Sequence, residues 1–336
     1  MSEMMAVEPH PPIDPELEAV WPTLVEAGLT WTNVTPDQIP HMRELFLADQ
    51  PTDDFLSRGG TIEVEERSIP GPEGAAELPA LILRPAGRTG PLPCLYYTAN
   101  GGKILRSTRL AITDLELDWI ADLGVVMISV APRVGPEDPH PAQVEDAYAG
   151  LVWTAEHAAD LGIEADRIFI FGKSGGGGVA AATALMARDR SGPTLAHQIL
   201  IYPMIDDRET TVSSKFEDVL WDRATNRTGW SAILGNNVGG PDVSPFAAPA
   251  RATDLSGLPP TYLETGSSEV FRDEILDYGT RLAQAGVPIE LHSWAGGFHG
   301  FELFAPDAEV SRAAVAARTS YLRRAVRPAK TRTAPV

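Results

Sequence analysis

The feature that most constrains this chain is an alternation of short, β-branched runs with longer helical patterns, which begins at about residue 61. Apolar residues recur at helical spacing in the longer patterns, so each helix can lay one face on a sheet. This alternation is typical of an α/β fold, a mostly parallel sheet with helices on both faces. About eight strands are predicted, at residues 61–65, 78–83, 92–97, 125–130, 168–171, 198–202, 261–264 and 289–294, and helices at 112–123, 142–161, 179–188, 271–285 and 310–324.

Two segments interrupt the alternation. Residues 1–52 carry two amphipathic helical patterns, at 15–27 and 35–48, and Pro22 is expected to break the first of them into two pieces. Residues 204–259 lie between the sixth and seventh predicted strands and are rich in Asp, Gly, Pro and Trp. Neither segment has the strand and helix order of the rest of the chain.

We expect these two segments to form one helical cap over the carboxyl ends of the strands. Separate decorations of the surface are the alternative, since the two segments are far apart in the chain. Under the first interpretation the α/β core consists of residues 53–203 and 260–327. The tail, residues 328–336, is expected to be disordered.

Charge and cysteine content exclude several classes of protein. Asp and Glu outnumber Lys and Arg by 46 to 27 in the 336 residues, and the net charge of -19 argues against nucleic acid as a partner. The single cysteine, Cys94, excludes a fold held together by internal disulfides. No basic and apolar leader begins the chain, and no segment approaches the roughly 18 apolar residues of a membrane span. We therefore expect a cytoplasmic protein.

The most informative segment runs from an apolar strand, residues 168–171, through Gly-Lys-Ser-Gly-Gly into an Ala-rich helix. A strand that turns sharply into a helix around Gly-x-Ser-x-Gly is the context of a nucleophile elbow. The turn forces Ser174 into strained backbone angles, and Gly172 and Gly176 must lack side chains because their neighbours come close. Ser174 is therefore predicted to present its hydroxyl above the carboxyl edge of the sheet as a nucleophile.

The same letters also resemble the end of a phosphate-binding P-loop, Gly-Lys-Ser. That motif needs a glycine five residues before Gly172, where Arg167 stands, and it needs a loop where this sequence predicts a strand. The P-loop interpretation is therefore disfavoured. A glycine-rich turn with no chemistry is the other alternative.

A serine nucleophile needs a base, and in hydrolases with this elbow the partners follow in the order serine, acid, histidine. Downstream of Ser174 the histidines are His197, His292 and His299. The first two lie in or beside predicted strands, whereas His299 lies in a glycine-rich loop after the last strand, from which its ring can reach back over the sheet. His299 is the predicted base.

The acid is expected in the loop that follows the seventh predicted strand. Glu264 lies within that strand, and Glu269 lies just beyond its end. Asp273 and Glu274 look like the first turn of the next helix, where carboxylates also favour the helix dipole. Glu269 is therefore predicted to orient His299, with Asp273 as the alternative.

An oxyanion hole needs backbone donors from the residue after the nucleophile and from the loop after the third strand. Gly175 supplies the first, and Gly101 and Gly102 are the candidates in the second loop. Two lysines, Lys103 and Lys173, flank this predicted site. Either could receive an anionic group of a substrate, but solvation, or pairing with a structural carboxylate, is the favoured interpretation.

From about residue 60 onward the chain resembles the bacterial hormone-sensitive-lipase-like esterases, α/β-hydrolases with an HGGG loop and a GDSAGG elbow. The resemblance implies Ser174, Glu269 and His299 as catalytic residues and Gly101, Gly102 and Gly175 as oxyanion donors. The loop departs from the pattern, with Ala99 and Asn100 at its start, and Asn100 is a residue that tolerates a positive φ. The elbow departs as well, with Lys173 and Gly175 in place of Asp and Ala. The further segments that carry the resemblance are Pro141–Tyr148, Leu200–Pro203, Ala248–Arg251, Leu258–Pro260, Arg272–Glu274 and His299–Phe301.

The sequence thus predicts a serine carboxylesterase for small to medium, relatively apolar esters, with no metal and no organic cofactor. A lactonase, or a carbamate or amide hydrolase, fits the same residues. A non-catalytic small-molecule receptor on the same fold is a further alternative. The alternation in residues 289–294 fits a sheet edge that is available for pairing in a homodimer, and burial beneath the terminal helix explains it equally well.

Overall fold

The computed structural model describes residues 10–48 and 50–327. The predicted disordered tail, residues 328–336, and parts of the N-terminal segment, residues 1–9 and 49, lie outside the described residues. Eight strands form one sheet, and all eight predicted strands are confirmed. They are β1 (Ile62–Ile69), β2 (Leu78–Pro85), β3 (Leu92–Thr98), β4 (Val126–Val130), β5 (Ile163–Lys173), β6 (His197–Ile201), β7 (Thr261–Gly266) and β8 (Ile289–Trp294).

The strand order in the sheet is β1-β2-β4-β3-β5-β6-β7-β8. Strand β2 is antiparallel to both of its neighbours, and the pairs from β4 onward are parallel. The α/β fold and the mostly parallel sheet are therefore confirmed. A separate two-stranded ribbon joins Asn100–Gly101 to Leu105–Arg106 just after β3.

The helices follow the predicted alternation, with shifts at their ends. The first pattern is broken as expected, since Pro22 lies at the second position of α2. Helix α5 continues as a π-helical turn, Trp119–Leu123, and helix α7 begins at Ser174, earlier than predicted, because its glycines are helical. Helices of the described residues are α1 (Pro15–Glu18), α2 (Trp21–Glu26), α3 (Ile39–Ala48), α4 (Asp53–Ser57), α5 (Asp114–Asp118), α6 (Ala142–Glu156), α7 (Ser174–Asp189), α8 (Arg223–Leu234), α9 (Arg272–Gln284), α10 (Phe301–Phe304) and α11 (Glu309–Ala325), with 3₁₀ turns at Pro36–Gln38, Arg58–Gly60, Ser213–Lys215, Gly235–Asn237 and Pro249–Arg251.

The core lies on both faces of the central strands. Every residue of β4 is buried, and Cys94 in β3 is buried as well. Each fully buried Ile, Val or Leu in these strands contributes about 1.5–3 kcal/mol relative to an exposed side chain. Helices must therefore cover both faces of this part of the sheet.

Within residues 10–48 and 50–327 none of the helices has the length and apolar character needed to cross a membrane.

The two segments that interrupt the alternation are hydrogen-bonded to one another. The amide of Val34 donates to Oγ1 of Thr225 at 3.1 Å, and the hydroxyl of Thr228 donates to the carbonyl of Val34 at 2.7 Å. The amide of Asn33 donates to the Asp222 carboxylate at 2.9 Å. These bonds join the stretch between α2 and α3 to the first turns of α8.

Candidate active site

A sharp turn carries β5 directly into α7. Strand β5 ends at Lys173 and the helix begins at Ser174, whose φ of 53° lies in the left-handed region. A non-glycine residue in that region costs roughly 1–3 kcal/mol, so the surrounding structure must hold it there. A Cβ atom on Gly172 would overlap the carbonyl of Gly176, and a Cβ on Gly176 would overlap the carbonyl of Thr98. The two glycines that flank Ser174 thus make the turn possible.

The structure brings Ser174, His299 and Glu269 into one hydrogen-bonded chain. Oγ of Ser174 lies 2.8 Å from Nε2 of His299, and Nδ1 of His299 lies 2.6 Å from Oε2 of Glu269. The other carboxylate oxygen of Glu269 accepts from the Thr265 hydroxyl at 2.6 Å and from the Gly266 amide at 2.7 Å. Because Glu269 is fully buried and its oxygens face three donors, the carboxylate has one orientation and turns the imidazole toward the serine.

The other candidates from the sequence lie elsewhere. The carboxylate of Asp273 accepts from the Ser213 amide at 2.9 Å and pairs with a neighbouring arginine. Nδ1 of His197 lies 2.8 Å from the hydroxyl of Tyr321, and His292 lies on the edge strand β8. Of the acids and bases considered, His299 therefore contacts Ser174 and Glu269 contacts His299.

Two aromatic rings hold the His299 imidazole edge-on. The ring centroid of Tyr202 lies 4.7 Å away and that of Phe271 lies 5.1 Å away, both in T-shaped geometry. The hydroxyl of Tyr202 donates to Oε1 of Glu302 at 2.7 Å. The sequence pattern assigned Tyr202 no role in the site, because it pointed only to the end of a strand and to a segment shared with the family, Leu200–Pro203.

Behind Tyr202 lies a buried ionic cluster. Arg318 of α11 donates to Glu264 and to Glu302, each at 2.7 Å, and all three side chains are almost completely buried. The Tyr262 hydroxyl also donates to Glu264, at 2.6 Å. The cluster ties α11 to β7 and to the residues after His299. An arginine on the apolar face of a helix was the one sequence signal that could have indicated it.

The loop after β3 packs tightly against the first turn of α7. A Cβ atom on Gly175 would lie 2.5 Å from the amide nitrogen of Gly102 and 2.8 Å from Oδ1 of Asn100. The Gly175 amide belongs to the first turn of α7, where no intrahelical acceptor exists. The Gly102 amide donates to no acceptor in the part of the chain that the structure describes. Two amides that have no acceptor among the described residues therefore lie together beside Ser174.

The conformation of this loop differs from the sequence expectation. The positive φ angles fall on Gly102, at 54°, and on Lys103, at 67°, and not on Asn100. Asn100 stabilises the loop in another way, since its Oδ1 accepts from the Lys103 amide at 3.0 Å. A Cβ on Gly102 would overlap the indole of Trp221, which covers the loop from the 204–259 segment. Gly102 is thus required both by its φ and by this contact.

The two lysines beside the site are both buried. Nζ of Lys173 lies 2.9 Å from the Glu116 carboxylate and donates to the carbonyl of Ala111 at 2.9 Å, in agreement with the favoured interpretation. Lys103 pairs with no carboxylate of the described residues, so for this residue the favoured interpretation was wrong. Its Nζ donates to the Gly175 carbonyl at 3.3 Å.

A cavity of about 370 Å³ opens above Ser174 and His299. Trp31 and Phe46 come from the N-terminal segment, and Leu220 and Trp221 come from the 204–259 segment. Most of the lining is apolar. The core lining includes Tyr97, Asn100, Gly101, Gly102, Leu105, Leu110, Ile112, Thr113, Lys173, Tyr202, Leu303 and Phe304. Within residues 10–48 and 50–327 no group of three or more His, Cys, Asp or Glu side chains could hold a metal ion.

Comparison with known proteins agrees with this architecture. A model of the alpha/beta hydrolase fold family matches residues 95–303. The chain is 31% identical over 304 residues to Carboxylesterase NlhH of Mycobacterium tuberculosis, a match that covers 88% of this chain and 91% of the relative.

Among solved structures, a bacterial heroin esterase superposes with a TM-score of 0.86 at 37% identity, covering 94% of this chain and 98% of that chain. An esterase of Pyrobaculum calidifontis superposes with a TM-score of 0.76 at 30% identity and covers 94% of this chain and 100% of its own. The chain therefore belongs to the α/β-hydrolase family, among its hormone-sensitive-lipase-like esterases, and is a carboxylesterase-type hydrolase.

Proposed function

We propose that the protein hydrolyses carboxylic esters with Ser174 as the nucleophile, His299 as the general base and Glu269 as the carboxylate that orients His299. The observation that carries this proposal is the hydrogen-bonded chain from Oγ of Ser174 through both nitrogens of His299 to Glu269, at 2.8 and 2.6 Å. Both distances are within the range expected of a nucleophile, its base and the group that holds the base.

The reaction proceeds in two steps. Oγ of Ser174 attacks the ester carbonyl while Nε2 of His299 takes the serine proton, and collapse of the tetrahedral intermediate passes that proton to the leaving alcohol. Water then attacks the acyl-enzyme, His299 takes a proton from the water, and the proton returns to Ser174 as the acid leaves. Glu269 stabilises the imidazolium that forms in each step.

The negative charge on the carbonyl oxygen is received by the amides of Gly101, Gly102 and Gly175. Support comes from the close approach of the loop to α7 and from the free amides of Gly102 and Gly175 beside Ser174. Donors that are already in place when charge develops stabilise the transition state without reorganising, and one such donor contributes about 10²–10³ in kcat.

The substrates are small to medium, relatively apolar esters, bound beneath a cap formed by residues 1–52 and 204–259. The cavity volume of about 370 Å³ is at the lower end of the range for small-molecule sites, and Trp31, Phe46, Leu220 and Trp221 give it an apolar wall. Lactones present the same carbonyl chemistry and stay the alternative substrates. Both segments supply lining residues, and the hydrogen bonds between them support a single cap.

The experiment that tests the proposal labels the purified protein with a fluorophosphonate and maps the modified peptide by mass spectrometry. We expect one label per chain, on Ser174, and a loss of hydrolysis in proportion to the fraction of chains that carry the label. A label elsewhere, or full activity after labelling, would contradict the assignment of the nucleophile. Hydrolysis of p-nitrophenyl acetate through laurate, beside γ- and δ-lactones, then tests the substrate range, and a preference for laurate or for lactones would overturn that part.

Assembly and location stay predictions. Strand β8 is at one edge of the sheet, and five of its six residues are half-buried and one is exposed, so pairing of two β8 strands in a homodimer is geometrically available. Light scattering coupled to gel filtration tests the dimer, and a monomeric mass at micromolar concentration contradicts it. The cytoplasmic location expected from the sequence needs a cell-fractionation experiment.

A further inference from the structure

Lys103 is a buried cation directly behind the proposed oxyanion hole. Its side chain is 1% exposed, its Nζ donates to the Gly175 carbonyl at 3.3 Å, and the same Nζ lies over the Trp230 ring, 5.2 Å from its centroid. A Cβ atom on Gly178 would lie 2.7 Å from this Nζ. The ammonium is thus enclosed between α7 and the indole of α8, and it does not line the substrate cavity.

The backbone of Lys103 is anchored from three sides. Its amide donates to Oδ1 of Asn100 at 3.0 Å. Its carbonyl accepts from Nε2 of Gln143, in α6, at 2.7 Å and from the Gly135 amide at 3.1 Å. One residue therefore links the loop after β3 to α6, to α7 and to α8.

A buried charge destabilises the folded protein unless an opposite charge or hydrogen bonds compensate for the lost contact with water. Among the described residues no carboxylate lies within ion-pair distance of Nζ, and burial lowers the pKa of Lys103 to about 7. The titratable groups that interact electrostatically with Lys103 are His140, whose pKa is lowered by its own burial and then by Lys103, and Glu274 of α9, which favours the charged lysine. Burial raises the pKa of Glu274 well above its usual value.

We propose that Lys103 is a positioning residue for the oxyanion hole, whose ammonium clamps the loop after β3 onto the first turn of α7. The inference rests on the proposed function, since Gly175 then presents its amide to the oxyanion and its carbonyl to Lys103. The clamp fixes the distance between the Gly102 and Gly175 amides, the two donors that must be in place when the negative charge develops.

The test compares Lys103→Met, which keeps the length and loses the charge, with Lys215→Met in a 3₁₀ turn outside the cavity. With p-nitrophenyl butyrate at pH 6.5, Lys103→Met should lower kcat about 10- to 100-fold with KM within about threefold, and should weaken binding of phenylboronic acid, which forms a tetrahedral anion on Ser174, by a similar factor. Lys215→Met should match the wild type. A folded Lys103→Met with kcat within twofold of wild type overturns the proposal.

If Lys103→Met does not fold, Lys103→Gln is judged by the same criteria. A pH series separates positioning by charge from simple packing. As pH rises from 6.5 to 9.5 Lys103 loses its proton, so the wild-type kcat should approach that of the variant, whereas a constant ratio contradicts the role of the charge. Fluorophosphonate labelling tests the nucleophile separately from this inference. Ser174→Ala should lose the label, whereas Lys103→Met should keep it. Labelling of Ser174→Ala would contradict the nucleophile assignment, whatever the kinetics of Lys103→Met.

Discussion

The side chain of Asn100 occupies the space that a side chain on residue 175 would need. A Cβ atom on Gly175 would lie 2.8 Å from Oδ1 of Asn100 and 2.5 Å from the Gly102 amide nitrogen. Both positions depart from the HGGG and GDSAGG patterns of the esterases that the chain resembles, one by gaining a side chain and the other by losing a methyl group. The two departures are therefore sterically coupled.

This coupling predicts a non-additive pair of substitutions. Gly175→Ala should lower kcat about 10- to 100-fold, because the loop after β3 must move away from α7 and take its amides with it. In an Asn100→Gly background, the factor by which Gly175→Ala lowers kcat should be at least about fivefold smaller, since the loop is free to shift. Steady-state kinetics of the two single variants and the double variant measure the coupling. Equal losses in both backgrounds would contradict it.

Removal of the proposed nucleophile should abolish hydrolysis. Ser174→Ala is expected to lower kcat on the order of a millionfold, since the variant lacks the hydroxyl proposed to form the acyl-enzyme. Ser256→Ala, in an exposed loop, is the matched control and should leave kcat unchanged. The release of p-nitrophenol from the butyrate ester measures both. Residual activity of Ser174→Ala within tenfold of wild type would refute the assignment.

The two candidate acids should respond very differently to amide substitution. Glu269→Gln should lower kcat by about 10³- to 10⁴-fold, because an amide cannot hold His299 in the required tautomer or stabilise its charged form. Asp273→Asn should lower kcat by less than about tenfold, since Asp273 faces Ser213 and Arg272 instead. Kinetics at a fixed pH compare them, and the reverse order of the two losses would favour Asp273 as the acid.

The buried charge of Lys103 should make stability depend on pH. Burial lowers the pKa of Lys103 from 10.5 to about 7, so between these two values the unfolded chain holds a proton that the folded chain lacks, and the free energy of unfolding rises with pH. Lys103→Met lacks this contribution. The difference in unfolding free energy, variant minus wild type, should therefore fall from pH 7 to pH 10, at up to about 1.4 kcal/mol per pH unit.

Urea denaturation at several pH values measures this difference. The variant Lys215→Met should keep the wild-type dependence. A difference that does not change between pH 7 and pH 10 would show that Lys103 titrates normally.

The ionic cluster behind Tyr202 should be sensitive to loss of its only arginine. Arg318→Leu leaves Glu264 and Glu302 buried without the arginine that both of them pair with, so the free energy of unfolding should fall by about 3–5 kcal/mol. Arg323→Leu, on the exposed face of the same helix, should change it by less than about 0.5 kcal/mol. Urea denaturation at pH 7 compares the two, and adding Glu302→Gln to Arg318→Leu should recover part of the loss. Equal stability of both arginine variants would contradict the cluster's role.

Much of the fold follows from the order of residues alone. The alternation of strand and helix patterns predicts all eight strands of the sheet, because the two periods are local properties of the chain. The elbow is local too: five consecutive residues, Gly172 to Gly176, specify the strained turn at Ser174. The choice of His299 over His197 and His292 also needs only the positions of the strands.

The tertiary structure alone decided which partners these residues meet. Glu269 and Asp273 are both carboxylates and lie four residues apart, and only the tertiary packing turns one toward His299 and the other toward Ser213. Nothing in the sequence distinguishes the environments of the two lysines beside the site. In the structure, Lys173 pairs with the Glu116 carboxylate, whereas Lys103 contacts the Gly175 carbonyl and the Trp230 indole. The spacing of apolar residues indicates which side of a helix or strand is buried. It does not indicate which side chain packs against that side, because that side chain comes from a distant part of the chain.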